Sequence, residues 1–312
     1  MFFLGADGGG TKTEAVMMDA QLDEIARFTV GPINLNGNGK KTVEESMRDL
    51  FEQVGRVRPL PECKRVCIGM AGISNPDAER TMREAVALFF GGELMLMGDQ
   101  DTALEGALEG RSGLVVIAGT GSICIGKTGD GVKKRAGGYG NIIDDGGSGY
   151  AIGRDILSAV VRAYDGRGAE TVLTGLVRER LTELGFSKKE DPDDVLVGEI
   201  IKFLYDERTT KRDIAAFSAL IANALKERDR VSQDIAQKAA QDLVLLAETV
   251  ISKLSGEKDI RLAYSGSVLV KNGYIRERFT ESIKKEYEWL DIVPALHDAA
   301  YGAGLAAARQ GE

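Results

Sequence analysis

The chain has 312 residues, 43% of them hydrophobic, with 48 acidic against 40 basic side chains and a formal charge of −8. That length exceeds one ordinary core and suits two domains of about 100–200 residues each, and the acidic balance excludes nucleic-acid or anionic-membrane binding through the overall field. A single histidine, His297, excludes a Ser-His-Asp triad and a multi-histidine zinc site, so proton transfer falls to Asp, Glu, Lys or Tyr.

The chain opens as strand (2–6), glycine turn, strand (13–18), turn (21–23) and strand (25–30), an antiparallel meander. Val43, Met47, Leu50, Phe51 and Val54 share one face of a helix over 42–57. A buried strand (66–70), a helix (77–88), a strand (93–97) and a helix (102–108) follow. Meander strands followed by alternating helices and strands predict a mixed sheet flanked by helices.

The pattern then restarts. An apolar strand over 113–119 runs into Gly119-Thr120-Gly121-Ser122, a strand returns over 123–127, and a third ends at Ala136. This second strand–glycine turn–strand unit reads as an internal duplication of fold rather than of sequence. Residues 155–255 are helical in pattern, with apolar stripes over 215–225 and 234–254 that read as core faces. A strand over 260–265 and an Ala-rich helix over 294–309 complete the chain.

The N-terminus shows no basic region followed by an apolar stretch and a cleavage site, and no run approaches about 18 uninterrupted apolar residues. The three cysteines, at 63, 67 and 124, are an odd number and read as structural thiols in a reducing compartment. A cytoplasmic protein is expected, without membrane or nucleic-acid partners, and a homodimer is the expected assembly.

Glycine is abundant, at 39 residues, and clustered. Asp7-Gly8-Gly9-Gly10-Thr11-Lys12-Thr13 is the most informative cluster: three glycines let backbone N–H groups approach an anion, and Asp7 suits a phosphate that carries hydrated Mg²⁺. It is not a P-loop, because the lysine is one place late and a strand follows rather than a helix. Lys12 reaches phosphate or stays a solvated turn lysine. Gly119, Thr120, Gly121 and Ser122 form a second such loop in the same local context. Gly137-Gly138-Tyr139-Gly140 with Asp144-Asp145-Gly146-Gly147-Ser148-Gly149 is too rich in glycine and carboxylate for a core element. Gly266 and Ser267 follow a buried strand and open toward a nucleotide base. The charge run over 188–194 reads as a solvated loop.

Together with Gly31-Pro32-Ile33-Asn34, residues 69–73, Asp99 and residues 299–303, these segments resemble, in order and along essentially the whole chain, the N-acetylglucosamine kinase branch of the sugar kinase/Hsp70/actin superfamily, grouped with the BadF/BadG/BcrA/BcrD ATPase family. The resemblance implies an α/β fold of two actin-like (ribonuclease H-like) domains with an interdomain cleft; boundaries at 1–112 plus 293–312 and 113–292 are expected. It implies ATP-dependent phosphorylation of an amino sugar, with N-acetylglucosamine first and N-acetylmuramic acid or glucosamine as alternatives, and ATP and Mg²⁺ as cofactors. Carried over, Asp7 places the metal; Gly8, Gly9, Gly10, Thr11, Lys12 and Thr13, with Gly119, Thr120, Gly121 and Ser122, hold phosphates; Gly266 and Ser267 hold adenosine. Asn34, Asn36, Gly138, Tyr139 and Asp145 bind sugar, and Asp99 is the catalytic base, with Asp101 its rival. The chain departs from the family at Gly98, where asparagine is usual, at Tyr139, where tryptophan is frequent, and at Gly146, where the family has glutamate. An ATP-driven electron-transfer activator of the 2-hydroxyacyl-CoA dehydratase or benzoyl-CoA reductase type is the alternative; its paired cysteines after the second loop have no counterpart, since residues 125–312 contain none.

Overall fold

The computed structural model describes residues 1–35, 38–188, 193–254 and 260–309. Two compact units are present: Met1–Gly113 with Gly129–Gly131 and Val293–Glu312, and Leu114–Thr128 with Val132–Ile292.

In unit 1 the strands β1 (Phe2–Gly8), β2 (Thr13–Met18), β3 (Glu24–Val30), β4 (Cys63–Met70) and β5 (Glu93–Met97) form one sheet in the order β3-β2-β1-β4-β5. β1–β2–β3 is the expected antiparallel meander, and β1, β4 and β5 run parallel. β1 is buried along most of its length because both faces are covered. On one face Leu4, Ala6 and Ile68 pack against Val43, Met47, Leu50 and Phe51 of α1 (Lys40–Val57) and Met82 of α2 (Pro76–Ala87). On the other lie α3 (Asp99–Leu108) and the terminal helix, α12 (Ala299–Arg309). These two helices touch backbone to backbone: a Cβ on Gly302 would lie 2.0 Å from the Thr102 carbonyl oxygen. His297 stacks on Tyr301 at 3.7 Å and its Nε2 lies 3.3 Å from the Glu109 carboxylate, tying the end of α3 to the start of α12.

Unit 2 repeats the topology. β6 (Gly113–Ala118), β7 (Ser122–Lys127), β8 (Lys133–Gly137), β9 (Arg261–Ser265) and β10 (Asp291–Pro294) take the order β8-β7-β6-β9-β10, the counterpart of β3-β2-β1-β4-β5. The duplication read from the glycine turns is therefore a duplication of sheet order. Leu114, Val116 and Leu262 of the strands pack against Ile156 of α4 (Gly149–Tyr164), Leu243 of α9 (Arg230–Lys253) and Phe279 of α11 (Gly273–Glu286). Between α4 and α9 run α5 (Leu173–Glu183), α6 (Asp193–Tyr205), α7 (Lys211–Ala216) and α8 (Ile221–Lys226); α10 (Ser267–Lys271) precedes α11.

The structure corrects three sequence readings. The helix expected over 215–225 is two short helices joined by a 3₁₀ turn at Phe217–Leu220, with Phe217 fully buried at the join. The tail expected as helix from 294 is strand over Asp291–Pro294, and the helix starts five residues later, at Ala299. α3 starts at Asp99 rather than 102, which puts Asp99 in its first turn. Part of the charge run over 188–194 lies outside the described residues; Asp193 opens α6. Among the described residues no helix is long and apolar enough to cross a membrane. All three cysteines are buried and unpaired with one another, and burial pushes the Cys63 and Cys67 thiols up to about 12, so they are inert core side chains.

Candidate active site

In unit 1 the candidate residues collect at the C-terminal ends of the parallel strands. The loop between β1 and β2 closes on itself, with the Gly9 N–H donating to the Lys12 carbonyl at 3.1 Å. A Cβ on Gly10 would meet nothing within 4 Å, so this part of the loop is open. Lys12 donates to Glu14 and lies along the strand. Thr13 faces inward: it is fully buried and its hydroxyl donates to the Gly31 carbonyl at 2.9 Å, which engages that side chain in holding the neighbouring loop rather than leaving it toward the mouth. That neighbouring loop carries Asn34. Its backbone N–H donates to the Gly9 carbonyl at 3.4 Å, and the Asn38 amide donates to both Gly10 and Asn34 carbonyls, at 3.2 and 3.0 Å. Asn36 lies outside the described residues.

Strand register sets Asp7 against the first turn of α3. Asp7 pairs with Gly69 of β4, and Gly69 with Met97 of β5, two residues before Asp99. Because Gly69 has no side chain, Thr102 settles over β4, and its hydroxyl donates to the Asp99 carbonyl at 3.0 Å. No side chain caps α3, and the Asp99 Oδ1 accepts the Gln100 N–H at 2.9 Å. Burial pushes the Asp7 carboxyl up to about 6, and the negative charges of Asp99, Asp298 and Glu14 add to the rise. The Asp101 carboxylate turns back, 3.2 Å from where a Gly98 Cβ would lie. Asp298 escaped the sequence reading. It accepts the Tyr301 N–H at 2.9 Å at the start of α12 and pairs with Arg27 of β3; an aspartate just ahead of an Ala-rich helix is the signal that was available.

In unit 2, β6 ends in the second loop. The Gly119 N–H donates to the Gly121 carbonyl at 2.9 Å, and the N-terminus of α4 is zipped to this loop by Gly149 N–H to Gly119 and Tyr150 N–H to Thr120, at 2.7 and 3.2 Å. Gly119 and Thr120 form one end of a pocket of about 430 Å³ whose walls include Ser267, Val268 and Asn272, reached from β9 through Gly266 (φ +87°). The structure thus brings the second loop and the Gly266–Ser267 turn to one cavity. Its far wall, Arg212 with the small residues Ala215, Ala216, Ser218, Ala219 and Ala222, was missed, because the small residues lie where the helix expected over 215–225 breaks into a 3₁₀ turn. Among the described residues no aspartate or glutamate lines the pocket, and Arg212 and Lys271 do, which suits an anionic nucleotide.

The third cluster lies against α9. Asp145 is 4% exposed with φ +66°, and its Oδ1 accepts the Ser122 N–H at 3.2 Å. The Ser122 hydroxyl donates to the Gly146 carbonyl at 2.7 Å. Ser122 is therefore engaged in joining the second loop to the Asp145 segment, so both its N–H and its hydroxyl are already used. Tyr139 stands out from the loop, 66% exposed, over the Arg135 guanidinium at 4.6 Å, while Arg135 donates to the Gly138 carbonyl at 2.6 Å.

Comparison with known proteins gives this arrangement its context. The family model for the BadF/BadG/BcrA/BcrD ATPase family matches residues 4–307. The chain is 32% identical over 310 residues to the N-acetylmuramic acid/N-acetylglucosamine kinase of Clostridium acetobutylicum, covering 98% of each chain. It is 31% identical over 320 residues to the N-acetyl-D-glucosamine kinase of Dictyostelium discoideum, covering 98% of this chain and 97% of that one. A solved structure from Chromobacterium violaceum, provisionally described as an N-acetylglucosamine kinase, superposes with a TM-score of 0.75 at 23% identity over 97% of this chain and 98% of that one. A ROK family glucokinase from Streptomyces griseus, solved with glucose and AMPPNP, gives 0.57 at 17% identity over 100% of both chains and shares the fold. With its glycine turns, its duplicated sheets and a family match running from residue 4 to residue 307, this chain belongs to the BadF/BadG/BcrA/BcrD ATPase family.

Proposed function

We propose that this chain transfers the γ-phosphoryl group of ATP to a hydroxyl of an amino sugar, with N-acetylglucosamine the principal acceptor and N-acetylmuramic acid and glucosamine further candidates. The end-to-end identity to the Clostridium acetobutylicum kinase carries the reading. The carboxylates of unit 1 and the acid-free pocket of unit 2 supply the chemistry it needs.

Phosphoryl transfer requires alignment and neutralised charge more than covalent help. In this reading the pocket beside Gly119 and Thr120 takes the nucleoside, and open backbone N–H groups of the glycine turns take phosphate oxygens. Asp99 accepts the proton of the attacking hydroxyl, a role worth about 10²–10⁴-fold. Asn34, Asp145 and the Gly138–Tyr139 turn take sugar hydroxyls and the acetamido group. Asp7 fits a Mg²⁺ ion: its carboxyl is crowded by the charges of Asp99, Asp298 and Glu14, a setting that a divalent cation relieves. Among the described residues no group of three or more His, Cys, Asp or Glu could hold a metal alone, in keeping with an ion that arrives on the nucleotide phosphates and keeps most of its waters. Bound there, Mg²⁺ neutralises phosphate charge. In this reading the protein works in the cytoplasm as a homodimer.

The test is coupled ADP release from purified protein with ATP, Mg²⁺ and a panel of N-acetylglucosamine, N-acetylmuramic acid, glucosamine, N-acetylmannosamine and glucose. N-acetylglucosamine is expected to exceed glucose in kcat/KM by at least about ten-fold, roughly one lost hydrogen-bonded contact. Equal values remove the amino-sugar assignment, and no sugar-stimulated release removes the kinase assignment.

A further inference from the structure

We propose that Asp242 of α9 is a positioning residue for the sugar site, its carboxylate standing in the space that a side chain at position 146 would occupy and fixing the segment that carries Asp145. A Cβ built on Gly146 would lie 3.1 Å from both Cγ and Oδ2 of Asp242. The Gly147 N–H faces the same carboxylate, and burial against the loop holds the Asp242 carboxyl above its ordinary range. Lys238, Asp155 and Arg154 are the charged neighbours.

The need for such a hold lies in the backbone. Asp145 is a non-glycine residue at φ +66°, a conformation that persists only where surrounding contacts over-determine it. Three successive residues are each pinned from outside the segment. The Ser122 N–H binds the Asp145 carboxylate, the Ser122 hydroxyl binds the Gly146 carbonyl, and the Asp242 carboxylate closes over Gly146 and faces the Gly147 N–H. Leu243 and the Ala239 carbonyl press on Gly147 from the same helix, at 2.6 and 2.7 Å from its would-be Cβ, so the loop lies flush on α9 with Asp242 at its edge. A glycine at 146 is what allows a carboxylate to enter from the helix. The function of Asp242 follows from Asp145 being a sugar ligand, and so rests on the reading above.

The experiment is steady-state kinetics on the full chain. Asp242→Ala is expected to raise KM for N-acetylglucosamine about ten-fold, on the order of one lost polar contact, with kcat and the Kd for ADP within about three-fold of the parent. Asp242→Asn keeps an oxygen acceptor for the Gly147 N–H and restores most of that KM. Gly146→Glu alone crowds Asp242 and raises KM; in the Asp242→Ala background the same change lowers it, a non-additive pair. Where Asp242→Ala does not fold, Asp242→Ser gives the same comparison with Asn. An Asp242→Ala protein with parental KM and a lowered Tm assigns Asp242 to stability alone and overturns the proposal, as does additivity of the 146 and 242 changes. Absence of sugar-stimulated ADP release in the parent chain overturns the function reading itself, and this proposal with it.

Discussion

Gly69 of β4 and Thr102 of α3 fit together as an absence and its occupant: a Cβ on Gly69 would lie 2.4 Å from the Thr102 Oγ1. The fit seats the first turn of α3 on the sheet, and with it Asp99, whose carbonyl accepts the Thr102 hydroxyl and whose charge acts on Asp7. A methyl group at 69 must push that turn away. Gly69→Ala is expected to lower kcat with sugar at least ten-fold, through displacement of Asp99, while the Kd for ADP is unchanged, since none of the described residues lining the unit 2 pocket belongs to β4. Calorimetric titration of ADP alongside the kinetics separates the two effects; parental kcat would mean that α3 shifts without moving its carboxylate.

Asp99→Asn keeps the shape of the side chain and removes the proton acceptor. Phosphorylation should fall by about 10²–10⁴-fold with ADP binding intact. Asp101→Asn, whose carboxylate turns back toward Gly98, should retain most of the parent's turnover. The reverse pattern in the same assay would move the base to Asp101.

Asp7 predicts a pH-dependent stability. Its carboxyl is raised from an ordinary 3.8 to about 6, so the folded chain holds that proton more tightly than the unfolded chain does. Stability from this group is therefore greatest below about pH 4 and falls as pH rises through about 6, by on the order of 3 kcal/mol in total. Asp7→Asn should accordingly raise Tm at about pH 7.5 and leave it unchanged at about pH 4. Mg²⁺ with ADP should raise the parent's Tm more than the variant's, whose turnover should collapse. Equal Tm values for parent and variant at both pH values would show that Asp7 is not under electrostatic load.

Ala219 is an exposed small residue on the far wall of the unit 2 pocket. Ala219→Trp fills the cavity without disturbing a core, so Tm should hold within a degree or so while the Kd for ADP rises at least ten-fold. Parental ADP affinity would place the nucleoside elsewhere.

The sequence by itself determined the α/β class, the meander opening each half and the glycine loops on which a site is built. These features depend on local chemistry: alternation fixes strands, three- and four-residue spacing fixes helices, and runs of glycine have few other uses than turns and close approach. It also marked Asp7 beside the first glycine loop and the glycine- and carboxylate-rich segment that holds Asp145, while Asp99 came from the resemblance to the family. Tertiary structure decided what those residues face. Thr13 and Ser122, candidates from position in a loop, spend their hydroxyls on Gly31 and Gly146. Asp298, just ahead of α12, acts by its charge on Asp7, and Asp242 of α9 lies against Gly146, 291 and 97 residues along the chain from Asp7 and Asp145 respectively. The pocket wall of small residues exists because the 215–225 stripe breaks into a 3₁₀ turn around buried Phe217. None of these relationships has a local signature, because each depends on a side chain meeting a distant glycine or amide only after both sheets have formed, and hydrophobic periodicity records which face of an element is buried, not which partner buries it.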